Sequence, residues 1–369
     1  MTNIQHVLAY IIVLYQIIVV QSGPLRNQNG GANQSLNPLT PCLSEKLHSN
    51  EEIIECMTAI SIVCEDVSKL DHLGKSTAGN DIYALIFTTD KTKYPIDHPN
   101  YRRRTSIGLI ANMHGNEATG RELLFWLMKN LCENKDNQDD IAVQQLLKNT
   151  DIYILPTINP DGFNERYKYN DYYRDNSSEN KNGQDMSDED VDNFAKFWVT
   201  GRYIRDKMDM NRNFPALNNE IYKNANTEEE LKNNLADSQL FNRTFIEKIE
   251  NGLKFRKKDL EKETALIINY LDRTPMDFAI NFHDGAQVVN YPFDAGIAGK
   301  RVYTPTPDDT LYIDTSRVFS YNNPGFLKRN ICGESTFNNG ITNGAEWYSV
   351  QGGLQDYSYV WGGLYAYIS

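Results

Sequence analysis

Two histidines and one glutamate form the pattern in this sequence with the clearest chemistry. His114 and Glu117 stand three residues apart in "ANMHGNEATG", at the end of an apolar stretch, and His283 ends a second one in "FAINFHDG". Two imidazoles and one carboxylate are a usual ligand set for a catalytic zinc ion, whose fourth position holds water. On spacing alone, however, a chance pairing remains open, with each histidine forming only a loop hydrogen bond.

Two arginines and an asparagine lie between these histidines in the chain. Arg202 stands in "TGRYI", and Asn211 and Arg212 stand in "KMDMNRNFP". A planar guanidinium binds a carboxylate through two parallel hydrogen bonds, so arginines facing a zinc ion predict a substrate with a free carboxylate. Taken in isolation, surface salt bridges explain the same arginines better.

The pattern of apolar residues predicts the elements that position these side chains. Three stretches, "DIYALIFTT", "TSIGLIANM" and "MDFAINFH", indicate strands, while "EATGRELLFWLMKNLCEN" and "KETALIINYLDRT" indicate helices. Alternating strands and helices predict an α/β fold with a mixed, largely parallel central sheet flanked by helices. Both histidines then follow strand ends, where sites of α/β sheets are built.

Two stretches are assigned by local composition alone. "DIYILPTINPDG" is interpreted as a strand that runs into a turn at Pro160, Asp161 and Gly162. The aromatic and β-branched stretch "DYSYVWGGLYAYIS", at 356–369, is interpreted as a buried strand.

Charge and the first residues bear on partners and location. A net charge of −12 argues against nucleic acid as a partner. The apolar run 7–20, followed by small residues, predicts a signal peptide at 1–22 and hence a secreted protein, with membrane attachment only if the segment is not cleaved. A flexible leader, 23–44, and a catalytic domain, 45–369, are expected to follow.

Other features are consistent with secretion. Three glycosylation sequons begin at Asn33, Asn176 and Asn242. The five cysteines contain no CxxC pair, which argues against a zinc–thiolate site, and their odd number leaves one thiol without a partner. The polar segment 169–193 is interpreted as an exposed insertion, either a disordered spacer, which we favour, or part of the rim around the site.

Taken together, the motifs resemble the zinc metallocarboxypeptidases, peptidase family M14, and in particular the carboxypeptidase D, E, M and N group, which removes C-terminal Lys or Arg. The resemblance extends from about residue 45 to 361 and rests on blocks in the family's order: "LGKSTAGNDIYAL", "NMHGNEATGRELL", "ILPTINPDGF", "DMNRNFP", "NFHDGAQVVNYPFD" and "GITNGAEWYSVQGGLQDYSY".

The resemblance implies a role for each matching residue. His114, Glu117 and His283 would bind one zinc ion. Arg202, Asn211 and Arg212 would hold the terminal carboxylate of a peptide and polarise the scissile carbonyl. Three more residues complete the implied substrate site. Tyr348 would be the mobile tyrosine that closes over the substrate. Asp294 would be the acid that selects a basic side chain, and Gln355 would be its neighbour.

The sequence also departs from the family pattern. Asp284 follows His283 where the family usually has glycine. The glutamate that serves the family as general base would fall at position 370, after Ser369, so no catalytic residue is assigned, and the cysteine that often follows it would be the partner of Cys332. We therefore expect a fold that is incomplete at the C-terminus. The expected function is that of a zinc carboxypeptidase whose activity is in doubt. The alternatives are a non-catalytic short form that binds peptide C-termini or another partner, and an incomplete gene product.

Overall fold

The computed structural model describes most of the chain from Pro38 onward. The described residues are 38–42, 46–89, 104–176, 199–204, 207–216, 227, 229–230, 260–274, 276–323, 326, 337–362 and 365–368. The predicted signal peptide, the sequons at Asn33 and Asn242, Cys332 and residues 177–193 of the predicted insertion lie outside this part of the chain.

The described strands form one eight-stranded sheet in the order β1-β2-β4-β3-β5-β8-β6-β7. The strands β4-β3-β5-β8 run parallel, as do β6 and β7, while β1, β2 and the β8–β6 pair introduce antiparallel neighbours. The bounds are β1 Ser68–Lys75, β2 Asp81–Phe87, β3 Thr105–Ala111, β4 Thr150–Leu155, β5 Phe278–Phe282, β6 Val289–Tyr291, β7 Ile341–Asn343 and β8 Tyr365–Ile368.

Helices flank this sheet, so the predicted fold class of a mixed, largely parallel sheet between helices is confirmed. α2 packs on β3, β4 and β5, and α6 packs on β6 and β7. The bounds are α1 Asn50–Val63, α2 Thr119–Glu133, α3 Ile141–Asn149, α4 Pro160–Asn176, α5 Lys262–Arg273, α6 Asp309–Asn322, α7 Gly344–Trp347 and α8 Leu354–Gly362.

Local sequence explains where α1 begins and how it packs. The Ser49 hydroxyl accepts from the Glu52 amide at 3.2 Å, and the Glu52 carboxylate accepts from the Ser49 amide at 2.8 Å. This reciprocal capping satisfies two amides that a helix start otherwise leaves without partners. Ile53, Met57 and Ile60 then lie on one face and are fully buried, as their spacing requires.

A buried arginine joins α2 to the elements beside it. Arg121 is inaccessible to solvent, and its guanidinium lies 3.7 Å from the centre of the Phe163 ring on α4. Its Nη1 donates to the carbonyl of His48 at 2.7 Å, and its Nη2 donates to Asn50 Oδ1 at 3.1 Å. The beginning of α2, which follows Glu117, is thereby held against both α1 and α4.

Two local assignments from sequence were wrong. Pro160 begins helix α4 rather than a turn, because proline at the first helical position costs no hydrogen bond and Asp161 favours the helix N-terminus. This helix continues to Asn176, so the first part of the polar segment is helical. The second wrong assignment is the stretch 356–369, interpreted from composition as a strand. Residues 354–362 form helix α8, and 365–368 form strand β8. Helix α8 is buried from Leu354 through Val360, and a fully buried element has no apolar period by which a helix could be told from a strand.

Two disulfides join the first part of the chain to the core. Cys42 pairs with Cys56 and Cys64 pairs with Cys132. Leu39 and Cys42, which belong to the predicted leader 23–44, are buried, and the Cys42–Cys56 disulfide ties this part of the chain to α1. No helix in the described part of the chain is long and apolar enough to cross a membrane.

Candidate active site

The three predicted metal ligands meet at one edge of the sheet. β3 and β5 are parallel neighbours, so their carboxyl ends lie side by side. His114 lies in the loop after β3, Glu117 lies at the end of that loop before α2, and His283 directly follows β5. One ligand atom from each residue lies within 4.8 Å of the others, so the structure brings these three side chains together.

The loop that carries His114 and Glu117 is held by the side chain of Asn112. The buried amide Nδ2 lies 3.0–3.1 Å from the backbone carbonyls of His114, Gly115 and Glu117. Thr157, after β4, donates its hydroxyl to Asn112 Oδ1 at 2.7 Å. Asn112 has a φ of 56°, a left-handed conformation that asparagine tolerates better than most residues.

Close backbone packing fixes the same loop against α4. A Cβ added to Gly115 would lie 2.2 Å from the backbone of Gly162 and Phe163, and 2.5 Å from the carbonyl of Gly201. Because these neighbours are backbone atoms, they cannot rotate away. Asn159 Nδ2 also donates to the carbonyl of Met113 at 3.1 Å, so α4 and its approach set the position of the ligand loop.

The donor atoms of the cluster fit a zinc ion. His114 Nδ1 and His283 Nδ1 are 3.2 Å apart, and they lie 2.9 Å and 2.7 Å from the Glu117 carboxylate. Two imidazole nitrogens and a carboxylate that converge in this way are a catalytic zinc ligand set. If each Nδ1 is a ligand, each imidazole carries its proton on Nε2, and Asp209 Oδ1 accepts from His114 Nε2 at 3.0 Å.

A buried amide oxygen provides a second test of this fit. Asn281 Oδ1 is buried without a hydrogen-bond partner in the described part of the chain, while Asn281 Nδ2 lies 3.0 Å from His283 Nε2. A histidine that binds a metal through Nδ1 donates from Nε2, so a half-turn of the Asn281 amide would supply its oxygen as the acceptor. Both histidines thus have an orienting group behind them, as zinc-binding histidines do.

Arg202 lies against the ligands and is paired with two carboxylates. Its Nη1 donates to Glu117 Oε1 at 2.8 Å and its Nη2 donates to Asp209 Oδ2 at 3.0 Å. Burial alone would raise the pKa of Glu117, but the charges of and hydrogen bonds from His283 and His114 outweigh it and lower the pKa well below its usual range. Burial likewise opposes a low pKa at Asp209, but the hydrogen bond from His114 and the nearby arginines lower it.

Asn211 and Arg212 follow Asp209 in a short 3₁₀ helix, Met210–Arg212. An isolated bridge between Ile204 and Met208 precedes this helix. Asn211 Oδ1 accepts from the Leu354 amide at 3.0 Å, and Arg212 Nη1 donates to the Asn211 carbonyl at 2.7 Å. The charges of Arg202 and Arg212 both act on the Asp209 carboxylate, so the two guanidinium groups lie near the same acid.

Asp294 follows β6, and its side chain is almost completely buried. Its Oδ1 accepts from Asn290 Nδ2 at 3.0 Å and from Gln355 Nε2 at 3.1 Å, so the predicted pair of Asp294 and Gln355 is in contact. Gly344 leaves the space that this carboxylate fills, since a Cβ there would lie 1.7 Å from Asp294 Oδ1.

Electrostatics distinguish Asp294 from Glu117 and Asp209. Burial raises its pKa to about 6, although Asn290 and the charge of Arg212 act in the opposite direction. Its backbone is held separately, because the Asp356 carboxylate accepts from the amides of Asp294 and Ala295 at 2.8 and 2.9 Å. The Asp294 carboxylate is desolvated and contacts no cation in the described part of the chain. A cationic ligand beside it would therefore stabilise its ionised form.

Tyr348 and Asp284 lie at the exposed boundary of the site. Tyr348 is 45% exposed, and partial burial together with the carboxylate of Asp294 raises its pKa. Asp284 is exposed and its carboxylate faces the Thr119 amide at 3.4 Å. It is therefore Asn281, and not Asp284, that meets the second nitrogen of His283.

Sequence reasoning missed four residues that orient this site: Asn112, Thr157, Asp209 and Asn281. Asp209 is adjacent in the chain to the "MNR" run that was singled out, and Asn112 is two residues before His114. Their positions next to functional residues were the available signal. Their hydrogen-bond partners could not be derived from spacing, because Asp209 and His114 are 95 residues apart.

Comparison with known proteins agrees with the geometry. The family model described as zinc carboxypeptidase, Peptidase_M14, matches residues 53–368. The catalytic chain of carboxypeptidase N from Homo sapiens is 31% identical over 326 residues, 85% of this chain and 60% of that protein. Carboxypeptidase E from Caenorhabditis elegans is 29% identical over 325 residues, 85% of this chain and 59% of that protein. The chain thus spans about 60% of the length of these relatives.

Solved structures show the same fold. The crystal structure of thrombin activatable fibrinolysis inhibitor superposes with a TM-score of 0.56 at 16% identity, covering 96% of this chain and 71% of that chain. Carboxypeptidase A from Helicoverpa armigera superposes with a TM-score of 0.53 at 15% identity, over 88% and 64% of the two chains. By its sequence match and its arrangement of His114, Glu117 and His283, the chain belongs to the zinc carboxypeptidase family.

Proposed function

We propose that this chain is the catalytic domain of a zinc-dependent carboxypeptidase that releases C-terminal Lys or Arg from peptides and proteins. The observation that carries the preference for a basic residue is the buried carboxylate of Asp294, with a pKa raised to about 6 by desolvation. A guanidinium or ammonium group that reaches this carboxylate would replace its lost hydration.

The residues of the site divide the work of binding. His114, Glu117 and His283 would hold the zinc ion, which when bound lowers the pKa of a coordinated water and polarises a carbonyl. Arg212 and Asn211 would bind the terminal carboxylate of the substrate, Arg212 through charge-assisted hydrogen bonds.

Arg202 and Tyr348 complete the arrangement around the scissile bond. Arg202 would polarise the scissile carbonyl once its contacts with Glu117 and Asp209 are rearranged. The exposed ring of Tyr348 is free to close over a bound peptide.

Secretion and glycosylation are part of the proposal. The two disulfides, Cys42–Cys56 and Cys64–Cys132, suit an oxidising compartment. The apolar run 7–20 supports an N-terminal signal, and Asn33, Asn176 and Asn242 are the candidate glycosylation sites. The full chain is expressed in a secreting host and recovered from the medium. N-terminal sequencing tests whether the signal has been removed, and the change in mass after glycosidase treatment tests whether the protein is glycosylated.

The experiment that tests the function compares peptides that differ only in their last residue. The full chain, purified from a secreting host and supplied with zinc, is given fluorescent peptides ending in Arg, Lys or Leu. Both binding and release of the last residue are measured. We expect basic peptides to be preferred at least tenfold, because a desolvated ion pair is at stake, and Asp294→Asn to remove the preference.

The same assay distinguishes the alternatives. Binding of basic peptides without release would favour a non-catalytic protein that holds peptide C-termini. Equal affinity for peptides ending in Arg and in Leu would contradict the assignment of Asp294. Asp139→Asn, which removes an exposed acid distant from the site, is the charge-matched control and should retain the preference.

A further inference from the structure

Asp284 is an acidic side chain beside the metal ligands that none of the roles above uses. It directly follows His283, and its backbone amide lies 3.3 Å from Glu117 Oε2. It is exposed, unlike the other acids of the site: Glu117, Asp209 and Asp294 are buried or partly buried. It is not in an ion pair with any lysine or arginine of the described residues.

The order of strands places Asp284 relative to a bound peptide. The ligands follow β3 and β5, whereas Asp294 follows β6 and Gly344 follows β7, which are farther along the sheet. A peptide whose last side chain lies beside Asp294 therefore extends from the metal toward β6 and β7. The residues before its scissile bond must leave the metal on the opposite side.

Asp284 lies on that opposite side. Its contacts are with Glu117 and with Thr119 at the beginning of α2, and α2 packs on β3, β4 and β5. The charge that acts on Asp294 is that of Arg212, while those that act on Asp284 are the charges of Glu117 and His283. The two acids are thus on different sides of the ligand cluster.

We infer that Asp284 forms a second cation-selective subsite, which favours peptides with Lys or Arg at one of the two positions before the terminal basic residue. This inference rests on the proposed function, because it needs the peptide orientation set by Asp294. The substrate class is then C-termini with basic residues in tandem or one residue apart. An ion pair that remains in contact with water predicts a preference of about threefold to fivefold.

A structural role for Asp284 has to be separated from this one. The carboxylate accepts from the Thr119 amide at 3.4 Å, and Ala118 provides no side-chain cap for α2. Asp284→Asn keeps an oxygen for that amide and removes the charge. If capping were the only role, this variant would keep the wild-type peptide preference.

The test measures the affinity of the zinc-supplied full chain for four peptides ending in Ala-Ala-Arg, Ala-Lys-Arg, Lys-Ala-Arg and Ala-Glu-Arg, in 0.05 and 0.5 M salt. We expect one or both lysine peptides to bind about threefold to fivefold more tightly than Ala-Ala-Arg, and Ala-Glu-Arg to bind less tightly. The differences should shrink at the higher salt concentration, because exposed charges are screened.

Variants decide the assignment. Asp284→Asn should bring the ratios close to one, and Asp284→Lys should reverse them in favour of Ala-Glu-Arg, while Asp139→Asn should keep them. Equal affinities in the wild-type protein, or ratios unchanged in Asp284→Asn, would overturn the inference while leaving the preference for terminal arginine intact. Loss of discrimination between Ala-Ala-Arg and Ala-Ala-Leu would instead overturn the proposed function, and the inference with it.

Discussion

The acids of this site show how neighbours give one side-chain type different properties. Glu117 is buried and Asp209 is half-buried, but both face histidine and Arg202 side chains, so their pKa values are lowered. Asp294 is buried among amides, and its pKa is raised. The first two are stable as anions in the free protein, whereas the third is suited to a ligand that brings a positive charge.

Selectivity for basic peptides should depend on pH through Asp294. With a pKa of about 6, Asp294 is ionised at pH 8 and largely protonated at pH 5, and a neutral carboxyl group cannot form an ion pair. The ratio of affinities for peptides ending in Arg and in Leu should therefore fall as the pH falls through about 6. Using the ratio removes the effect of protonation at the metal ligands, which both peptides share.

Asp294→Asn should make that ratio independent of pH. The same substitution should alter stability, because a carboxyl group with a raised pKa in the folded state favours folding below its unfolded value of 3.8 and loses this contribution as the pH rises through about 6. Urea denaturation at pH 5 and pH 8 should show a smaller difference in the variant. An unchanged pH dependence would contradict the raised pKa.

Asn112 should act on metal affinity through the ligand loop. Asn112→Gly retains the left-handed backbone conformation but removes the amide that holds three loop carbonyls. We expect zinc affinity to fall by about 10-fold to 100-fold, the range for residues that orient metal ligands. Competition with a chelating dye measures the affinity, and the spectrum of the cobalt-substituted protein reports the ligand geometry.

Thr157→Val is the matched variant for Asn112, because it removes only the hydroxyl that donates to Asn112 Oδ1. It should produce a smaller loss in the same direction. If Asn112→Gly lowered the free energy of unfolding but left zinc affinity and the cobalt spectrum unchanged, the asparagine would stabilise the fold without positioning the ligands.

At the scale of elements, the site depends on where β3, β5 and α4 bring their ends together. The ligand loop is only a few residues long, and it is held by Asn112 from within, by Asn159 through Met113 and by backbone contact at Gly115. A short loop held from several sides keeps the ligands in place before a metal binds, which reduces the ordering cost of binding.

Gly115→Ala should displace this loop from α4. Its Cβ would lie 2.2 Å from backbone atoms of Gly162 and Phe163, so the strain can be relieved only by moving an element. We expect a loss of about 2–3 kcal/mol in the free energy of unfolding, measured in urea, together with weaker zinc binding. Gly353→Ala is the control, because its nearest atoms are 3.5 Å away; an equal loss there would contradict the steric explanation.

At the scale of the whole molecule, the two disulfides join the first helix and the N-terminal segment to the rest of the domain. Cys64 and Cys132 are 68 residues apart, whereas Cys42 and Cys56 are 14 residues apart. A longer closed loop restricts the unfolded chain more. The two bonds should therefore contribute unequally to stability although both are buried.

Removing the disulfides separately should show this difference. By the chain-entropy relation, Cys64→Ala with Cys132→Ala should lower the free energy of unfolding by about 4 kcal/mol, and Cys42→Ala with Cys56→Ala by about 3 kcal/mol. Denaturation of the two double variants in urea measures both values. A larger effect from the shorter loop would show that packing of Leu39 and Cys42 on the core, and not loop entropy, dominates.

The sequence by itself determined the fold class and the set of side chains that converge. Strand periodicity predicted that His114 and His283 follow buried strands, and parallel strands bring their carboxyl ends to one edge. The ordered motifs then indicated the family and residues such as Asp294 and Arg202. These features are local in the chain, so they can be deduced without coordinates.

Tertiary structure alone decided how those side chains are held and which charge state they favour. The hydrogen-bond partners of His114 and of the Asp294 backbone lie 95 and 62 residues away in the chain. Residues 354–360 of helix α8 are buried, so their sequence shows no polar face that would reveal a helix. Hydrogen bonding and desolvation are properties of the space around a group and not of its neighbours in the chain. For that reason Asp209, Asn281 and the raised pKa of Asp294 became evident only in the folded protein.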